Sequence, residues 1–235
     1  MAVRTAPPFD GGGSVAPGSL PVDTVHPGTG DGAAVVRFDR TERLLHHVNA
    51  AVFGVLLLTA AALYIGPLSA VVGRRELVKD VHVVVGLAMP APLLLAYAGR
   101  WRAGLRRDAR RLARWIPDDG RWLRSRGRDR RIRLGKFNAG QKLNATLIVA
   151  SIPIMLATGS IMFWFQPFPL AWRTGATFVH DWLAIVLFFA IAGHILKALV
   201  EPEAMRSMRT GSVPLHWAER HRPRWHAEVT TAESE

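Results

Sequence analysis

Four histidines recur inside or at the edge of apolar stretches of this 235-residue chain, and they are its strongest candidates for chemistry. His180 and His194 lie fourteen residues apart in TFVHDWLAIVLFFAIAGHILKAL, residues 177–199. His46 stands in ERLLHHVNA and His82 in DVHVVVG. Neutral imidazole is the commonest protein ligand for metals. Because a polar group in an apolar helix is costly without a partner, each such histidine either hydrogen-bonds a neighbouring helix or belongs to a functional site.

Helical spacing divides the four histidines between two levels. Fourteen residues of α-helix rise about 21 Å in nearly four turns, so His180 and His194 share a face at different depths. If the flanking spans alternate in direction, His46 begins its helix on the side of His194. His82 begins the next helix on the opposite side, level with His180. His47 remains an alternative to His46, because neighbouring residues differ by about 100° around a helix.

Two imidazoles at opposite axial positions suit low-spin haem iron. The chain has no cysteine, which excludes a disulfide, a thiolate-held iron–sulfur cluster and covalent c-type haem in this subunit. We therefore predict two b haems, one held by each histidine pair. Gly54, Gly86 and Gly193 leave room for a flat macrocycle, or simply let the helices pack closely.

Other functions fit the histidines less well. Zinc or di-iron ligation would have to bridge two depths, and no span carries the Glu-x-x-His pattern of a di-iron bundle. A proton-coupled transporter is the competing class, because intramembrane His and Asp also act as proton relays. A transporter does not explain why the histidines form pairs at two depths.

Four membrane spans are predicted to position these histidines. Each apolar stretch is close to the roughly 20 residues that cross the hydrocarbon of a bilayer. Pro90 and Pro92 predict a kink in the second span. The fold class is therefore an all-α membrane protein, a four-transmembrane-helix bundle with spans at about residues 44–65, 81–98, 143–165 and 178–199.

The distribution of charge predicts the orientation. The chain carries 30 Lys+Arg against 18 Asp+Glu, a formal charge of +12, and fifteen of the cations lie between residues 100 and 136. By the positive-inside rule this loop and both termini are cytoplasmic, in a multi-pass protein of the cytoplasmic membrane. Cations beside spans favour contact with lipid, so no nucleic-acid partner is expected. The helical spacing of Trp101, Leu105, Leu112 and Ile116 predicts a basic helix lying in the membrane interface, and the alternative is a solvated loop against anionic lipid headgroups.

The two ends of the chain differ from this membrane domain. Residues 1–35 are rich in Gly and Pro and lack apolar periodicity, which predicts a disordered N-terminal tail. That tail lacks the apolar core of a secretory signal, so the first span is expected to serve as the insertion signal. Residues 36–228 are predicted to form the di-haem domain, and residues 229–235 a C-terminal tail.

Five segments resemble the cytochrome b (gamma) subunit of membrane-bound respiratory formate dehydrogenases. They are RFDRTERLLHH before the first span, DVHVVVG in the second, GKFNAGQK before the third, the His-x13-His pair in the fourth, and HWAERHRPRW in the tail. The similarity extends over about residues 36–228. The histidines alone also fit the cytochrome b anchors of nickel–iron hydrogenases and thiosulfate reductases. Formate as the donor is therefore implied by the resemblance alone.

The resemblance implies haem ligation by the same pairs, His46 with His194 and His82 with His180. It also implies a site for menaquinone or another quinone near the cytoplasmic haem, at Asn138, Gly140 and Gln141. The alternative is that Asn138 and Gly140 shape the start of the third span. Lys136 and Lys142 are candidates for binding haem propionates or lipid.

The resemblance further implies the partners and the role of the chain. The partners are an iron–sulfur (beta) subunit and a molybdenum or tungsten catalytic (alpha) subunit, in a heterotrimer that trimerises further. The chain is then a membrane electron conduit from the iron–sulfur subunit at the external face, through two b haems, to a quinone. No side chain of this subunit is expected to make or break bonds.

Overall fold

Four helical spans form the body of the protein. The structure, a computed structural model, describes residues 23–27, 32–99 and 102–231. The spans are α1 (Arg40–Tyr64), the consecutive helices α3 (Arg75–Ala88) and α4 (Ala91–Ala98), α7 (Ala139–Phe163), and α8 (Leu170–Leu199). Each is long and apolar enough to cross a membrane. α1 packs against α3 and α7 against α8, and contacts between α3 and α7 join the two hairpins. The predicted four-helix bundle is confirmed.

All four spans extend beyond their apolar segments, and a capping box begins α1. Asp39 precedes α1, and its side chain accepts a hydrogen bond from the Glu42 N–H at 2.7 Å. The Glu42 carboxylate accepts from the Asp39 N–H at 3.0 Å, which completes a capping box. This arrangement satisfies backbone donors that a helix start leaves unpaired. The spans begin four to eight residues before the predicted apolar stretches, at Arg40, Arg75, Ala139 and Leu170.

Pro90 interrupts the second span, as predicted. α3 ends at Ala88, and the Met89 N–H reaches the Gly86 carbonyl at 3.3 Å, the spacing of a 3₁₀ turn. The Leu94 N–H then resumes the α-helical ladder by donating to the Pro90 carbonyl at 3.0 Å. The break follows from proline itself, because its ring nitrogen has no hydrogen to donate.

Short helices lie at both ends of the bundle. α5 (Arg102–Ala113) and α6 (Pro117–Arg124) come from the arginine-rich segment and pack against α7. We call their side the basic end. The opposite side, where α2 (Gly66–Val72) connects α1 to α3, is the distal end. The predicted helix through Leu105 and Leu112 is confirmed as α5, but Ile116 lies beyond its end at Ala113, and Trp101 lies outside the described residues. The position of α5 in a membrane interface stays a prediction.

A small folded cap covers the basic end. An antiparallel sheet contains β1 (Val25–Pro27), β2 (Ala33–Val36) and β3 (Ser212–Pro214), in that order. Three helices surround it, α9 (Pro202–Thr210), α10 (Leu215–His221) and α11 (Pro223–Thr231). Trp225 is fully buried and donates its indole N–H to the Asp23 carboxylate at 2.8 Å. The hydrophobic core of the cap contains Val35, Val213, Ala218, Trp225 and Val229.

The cap corrects the predictions for both ends of the chain. Residues 25–27 and 33–35 were expected in a disordered tail, and they lie in strands. Residues 229–231 were expected in a C-terminal tail, and they end α11, with Val229 buried. Strands of three or four residues that pair with a distant segment leave no periodic signal in the sequence. The remaining parts of those tails, residues 1–22, 28–31 and 232–235, lie outside the described residues.

Gly211 joins the cap to α1. Its carbonyl accepts hydrogen bonds from the N–H groups of Arg37 and Phe38 at 2.8 and 3.0 Å. Its φ is +94°, and a Cβ placed there would lie 2.8 Å from the Phe38 carbonyl oxygen. Both the backbone conformation and the lack of space require glycine at this position.

Two buried lysine–aspartate pairs hold the short helices against the start of α7. Lys142 Nζ lies 2.7 Å from Asp119 Oδ2 and donates to the Arg114 carbonyl at 2.9 Å. Lys136 Nζ lies 2.6 Å from Asp108 Oδ2. All four charged residues are at most 7% exposed. The two ammonium groups, predicted as candidates for propionates or lipid, are instead bound by carboxylates of α5 and α6.

We predict that Asp119→Ala strongly destabilises the protein. Removing one partner of a buried ion pair leaves the Lys142 charge unpaired, at a cost of about 3–5 kcal/mol. The carboxylate also accepts the Ile116 N–H at 2.9 Å, so this bond is lost as well. Thermal unfolding in detergent, followed by circular dichroism, should show a midpoint lower by at least about 6 °C.

Asp118→Ala is the matched control for this measurement. Asp118 pairs with Arg121, but the two side chains are 31% and 59% exposed, so water screens their attraction. The free energy of unfolding should change by no more than about 0.5 kcal/mol. Equal effects of the two substitutions would contradict the assignment of the Asp119 pair as a buried support of α7.

Candidate functional site

The structure brings the four singled-out histidines together as two pairs. The ring centres of His46 and His194 are 6.1 Å apart, with 61° between the ring planes. The ring centres of His82 and His180 are 6.4 Å apart, with 67° between the planes. α8 contributes one ring to each pair, and the pairs are separated by about 21 Å along its axis. The first pair lies towards the basic end and the second towards the distal end.

Both separations match two imidazoles that share one metal ion. Two metal–nitrogen bonds of about 2 Å, with about 1.2 Å from each nitrogen to its ring centre, give about 6 Å between centres. A direct hydrogen bond between two imidazoles would bring the centres to about 5 Å. No hydrogen bond joins the two rings of either pair in the part of the chain that the structure describes. The geometry therefore fits a metal-centred group between the rings.

Gly86 is one helical turn from His82, Gly54 is about two turns from His46, and Gly193 precedes His194 in the sequence. A Cβ added to Gly54 or Gly193 would meet no atom within 4 Å, so flat groups have space next to the histidines there. A Cβ on Gly86 would reach Leu56 at 3.7 Å, which is ordinary van der Waals contact. Sequence analysis overlooked Gly159, where a Cβ would lie 3.3 Å from His180 Cε1. Gly159 lets α7 approach this ring closely.

Each histidine of the distal-end pair contacts a threonine that sequence analysis did not single out. Thr59 Oγ1 lies 2.8 Å from His82 Nδ1, and Thr158 Oγ1 lies 3.0 Å from His180 Nδ1. Thr158 is buried, and Thr59 and both rings are half-buried. These contacts use the Nδ1 atoms, which leaves the Nε2 atoms for the space between the rings.

The basic-end pair has different surroundings. His46 and His194 are both exposed, and neither makes a hydrogen bond with another described residue. The ring that approaches His194 is that of His46. His47, the alternative from the sequence, has its Nδ1 2.6 Å from the Arg43 carbonyl of its own helix. That bond holds the His47 ring on the surface of α1.

The three residues predicted to bind quinone form the start of α7. The Asn138 side-chain oxygen accepts from the Gln141 N–H at 2.9 Å, and the Gln141 side-chain oxygen accepts from the Asn138 N–H at 3.0 Å. A Cβ on Gly140 would lie 3.1 Å from the Trp122 ring, so glycine lets α6 pack closely here. This is the helix-start role that the sequence left as the alternative. The capping box uses only the amide oxygens, and the NH₂ group of each amide takes no part in it.

Comparison with known proteins identifies relatives of this chain. The family described as prokaryotic cytochrome b561 matches residues 37–211. The cytochrome b556(Fdn) subunit of the nitrate-inducible formate dehydrogenase of Escherichia coli K12 is 34% identical over 104 residues. That match covers 43% of this chain and 48% of the relative, so the chain aligns with about half the length of this protein.

Two further relatives align over most of their length. The cytochrome b556(fdo) subunit of an Escherichia coli K12 formate dehydrogenase is 26% identical over 209 residues, which cover 83% of this chain and 93% of the relative. The formate dehydrogenase cytochrome b556 subunit of Haemophilus influenzae is 26% identical over 216 residues, 86% of each chain.

The family match and the histidine geometry coincide along the chain. Residues 37–211 run from the start of α1 to the end of α9 and contain all four spans and both histidine pairs. A membrane bundle with paired imidazoles at two levels is an arrangement that suits a b-type cytochrome. The chain belongs to the prokaryotic cytochrome b561 family.

Proposed function

We propose that this chain is the membrane-anchoring di-haem cytochrome b subunit of a respiratory formate dehydrogenase. The observation that carries the proposal is the separation of the ring centres, 6.1 Å for His46 and His194 and 6.4 Å for His82 and His180. The names of the relatives supply the enzyme class, because each is a formate dehydrogenase cytochrome b556 subunit.

Haem b fits the residues of both sites. His46 with His194 would hold one haem and His82 with His180 the other, and the absence of cysteine leaves the porphyrin without a covalent attachment. When bound, two such haems supply one-electron carriers at two depths of the membrane. The chain's own residues would hold those carriers: α8 sets their levels, and the rings of His82 and His180 are half-buried.

The chain would connect partners on opposite sides of the cytoplasmic membrane. The basic end carries the arginine-rich helices α5 and α6, which favours a cytoplasmic position by the positive-inside rule. An iron–sulfur (beta) subunit, joined to a molybdenum or tungsten catalytic (alpha) subunit, would then dock at the distal end. Menaquinone or another quinone would accept electrons near Asn138, Gly140 and Gln141 at the basic end.

Haem content is the direct test of this proposal. We expect the purified protein to be red, with two b haems per chain and an alpha band on reduction. His82→Ala and His194→Ala should each cause the loss of one haem, because the two histidines belong to different pairs. The haem content is measured by a haemochrome assay and divided by the protein concentration. A colourless wild-type protein would contradict the proposal and favour the transporter.

His47→Ala is the matched control for the haem assay. It removes an imidazole adjacent to His46 in the same helix, but one whose Nδ1 is bonded to the Arg43 carbonyl. We expect this variant to keep both haems, and His46→Ala to lose one. The opposite result would move the axial ligand from His46 to His47.

The quinone site is tested by substitutions that preserve the helix cap. Asn138→Asp and Gln141→Glu keep the oxygens that accept the two N–H groups, and they remove the amide NH₂ donors. If those donors bind a quinone carbonyl, quinone reduction should fall about tenfold, the effect of one lost hydrogen bond. The unfolding midpoint and the haem content should stay at wild-type values. Unchanged quinone kinetics would restrict both residues to the cap.

The electron donor is tested by the proteins that accompany this chain in mild detergent. We expect co-purification of a molybdenum or tungsten subunit with formate-dependent reduction of the b haems, recorded as the appearance of the alpha band. A nickel–iron subunit with hydrogen-dependent reduction would replace formate by hydrogen as the donor, and a thiosulfate reductase subunit would make the catalytic partner an electron acceptor. Either result would leave the haem ligands as proposed.

A further inference from the structure

We propose that Thr59 and Thr158 are positioning residues for the distal-end haem. Each hydroxyl accepts the Nδ1–H of one ligand histidine, and in doing so it fixes the imidazole with Nε2 towards the iron. The inference rests on the proposed function, since it assigns a role to residues behind the ligands of one of its two haems. It also predicts that the two haems differ chemically.

Thr59 has a single hydroxyl proton, and its position decides which atom is the donor between Thr59 and His82. Thr59 Oγ1 lies 2.7 Å from the Val55 carbonyl oxygen and 2.8 Å from His82 Nδ1. A carbonyl oxygen can only accept, so the threonine proton goes to the backbone. His82 Nδ1 must then be the donor towards Thr59. A neutral imidazole protonated on Nδ1 carries its lone pair on Nε2, which is the atom a metal requires.

Thr158 repeats this arrangement on the other side of the same site. Its Oγ1 lies 2.7 Å from the Ile154 carbonyl oxygen and 3.0 Å from His180 Nδ1. The hydroxyl proton is again used by the backbone, so His180 also donates from Nδ1. Thr158 is only 9% exposed, which leaves little room for water to replace its hydroxyl. The neighbouring Gly159 allows the close approach of α7 to the ring.

Each of these bonds joins two different helices. Thr59 belongs to α1 and holds a ring of α3, whereas Thr158 belongs to α7 and holds a ring of α8. Both ligands of one iron are therefore oriented from behind by a neighbouring span. Such partners fix the ring orientation and raise the basicity of the ligand. A more basic imidazole stabilises ferric over ferrous iron, which lowers the midpoint potential.

The basic-end pair lacks this support among the described residues. Neither His46 nor His194 has a hydrogen-bond partner there, and both rings are exposed. Loss of a threonine hydroxyl should therefore change the distal-end haem and leave the basic-end haem as it is.

The test is a redox titration of the haem-loaded protein with optical and electron paramagnetic resonance detection. Thr59→Val and Thr158→Val remove the hydroxyl with little change in volume. His180→Ala identifies, by loss of one wave, which titration belongs to the distal-end haem. At a given potential each valine variant should lower the ferric/ferrous ratio of that haem by on the order of tenfold. This change raises the midpoint potential of that wave by about 60 mV for one electron. The other wave should not move.

Two sets of variants separate positioning from simple packing. Thr59→Ser and Thr158→Ser keep the hydroxyl and should restore the wild-type potential and resonance spectrum. Thr146→Val is the matched control, because Thr146 also lies in α7 and donates to a carbonyl of its own helix, that of Lys142, at 2.9 Å. Among the described residues the Thr146 hydroxyl contacts no histidine, so its loss should move neither wave.

The possible outcomes distinguish this inference from the proposed function. Valine variants that keep the distal-end haem with unchanged potential and spectrum would overturn the inference and leave the di-haem assignment standing. Loss of that haem alone in both valine variants, with recovery in both serine variants, would support it. If Thr158→Val does not accumulate, Thr59→Val tests the same iron through its other ligand. A wild-type protein without haem would overturn both proposals.

Discussion

A single uninterrupted helix sets the distance between the two histidine pairs, and the other spans must conform to it. α8 runs for 30 residues and carries His180 and His194 fourteen residues apart, about 21 Å along its axis. Their partners come from opposite ends of the bundle, His46 near the start of α1 and His82 near the start of α3. The break at Pro90 lies in the second span, after His82, and α8 has no such break. The proline therefore does not change the distance between the two histidine pairs.

The two ends of the bundle satisfy their polar groups in different ways. In the distal half, between apolar spans, threonine hydroxyls bond both to imidazole and to backbone carbonyls, because no water is available inside a bilayer. At the basic end full charges are buried. The Arg37 guanidinium is 1% exposed and lies 5.1 and 5.3 Å from the ring centres of Phe38 and Trp217. Burial, together with the nearby positive charge of Arg222, lowers the pKa of Arg37 to about 9. The basic end therefore contains buried charged side chains next to an apolar helical bundle.

Much of this architecture could be predicted from the sequence, because its signals are local. Hydropathy located the four spans, Pro90 located the break, and the helical repeat predicted which histidines meet. The cap could not be found this way, since its strands are three or four residues long and β2 pairs with β3 across most of the chain. The buried partners of Lys136 and Lys142 were missed because acidic residues in a basic segment look like solvated charge. Thr59 and Thr158 were missed because a threonine in a span usually bonds only to its own helix.

The pairing of β2 with β3 has a consequence for biosynthesis. Residues 33–36 leave the ribosome early, but Ser212–Pro214 and Trp225 follow only after all four spans have been made. β2 can pair with the nearby β1, but it must wait for β3 until the four hydrophobic helices have been made. Closure of the cap over such a long separation is intrinsically slow. The complete three-stranded sheet can close only after all four spans have left the ribosome.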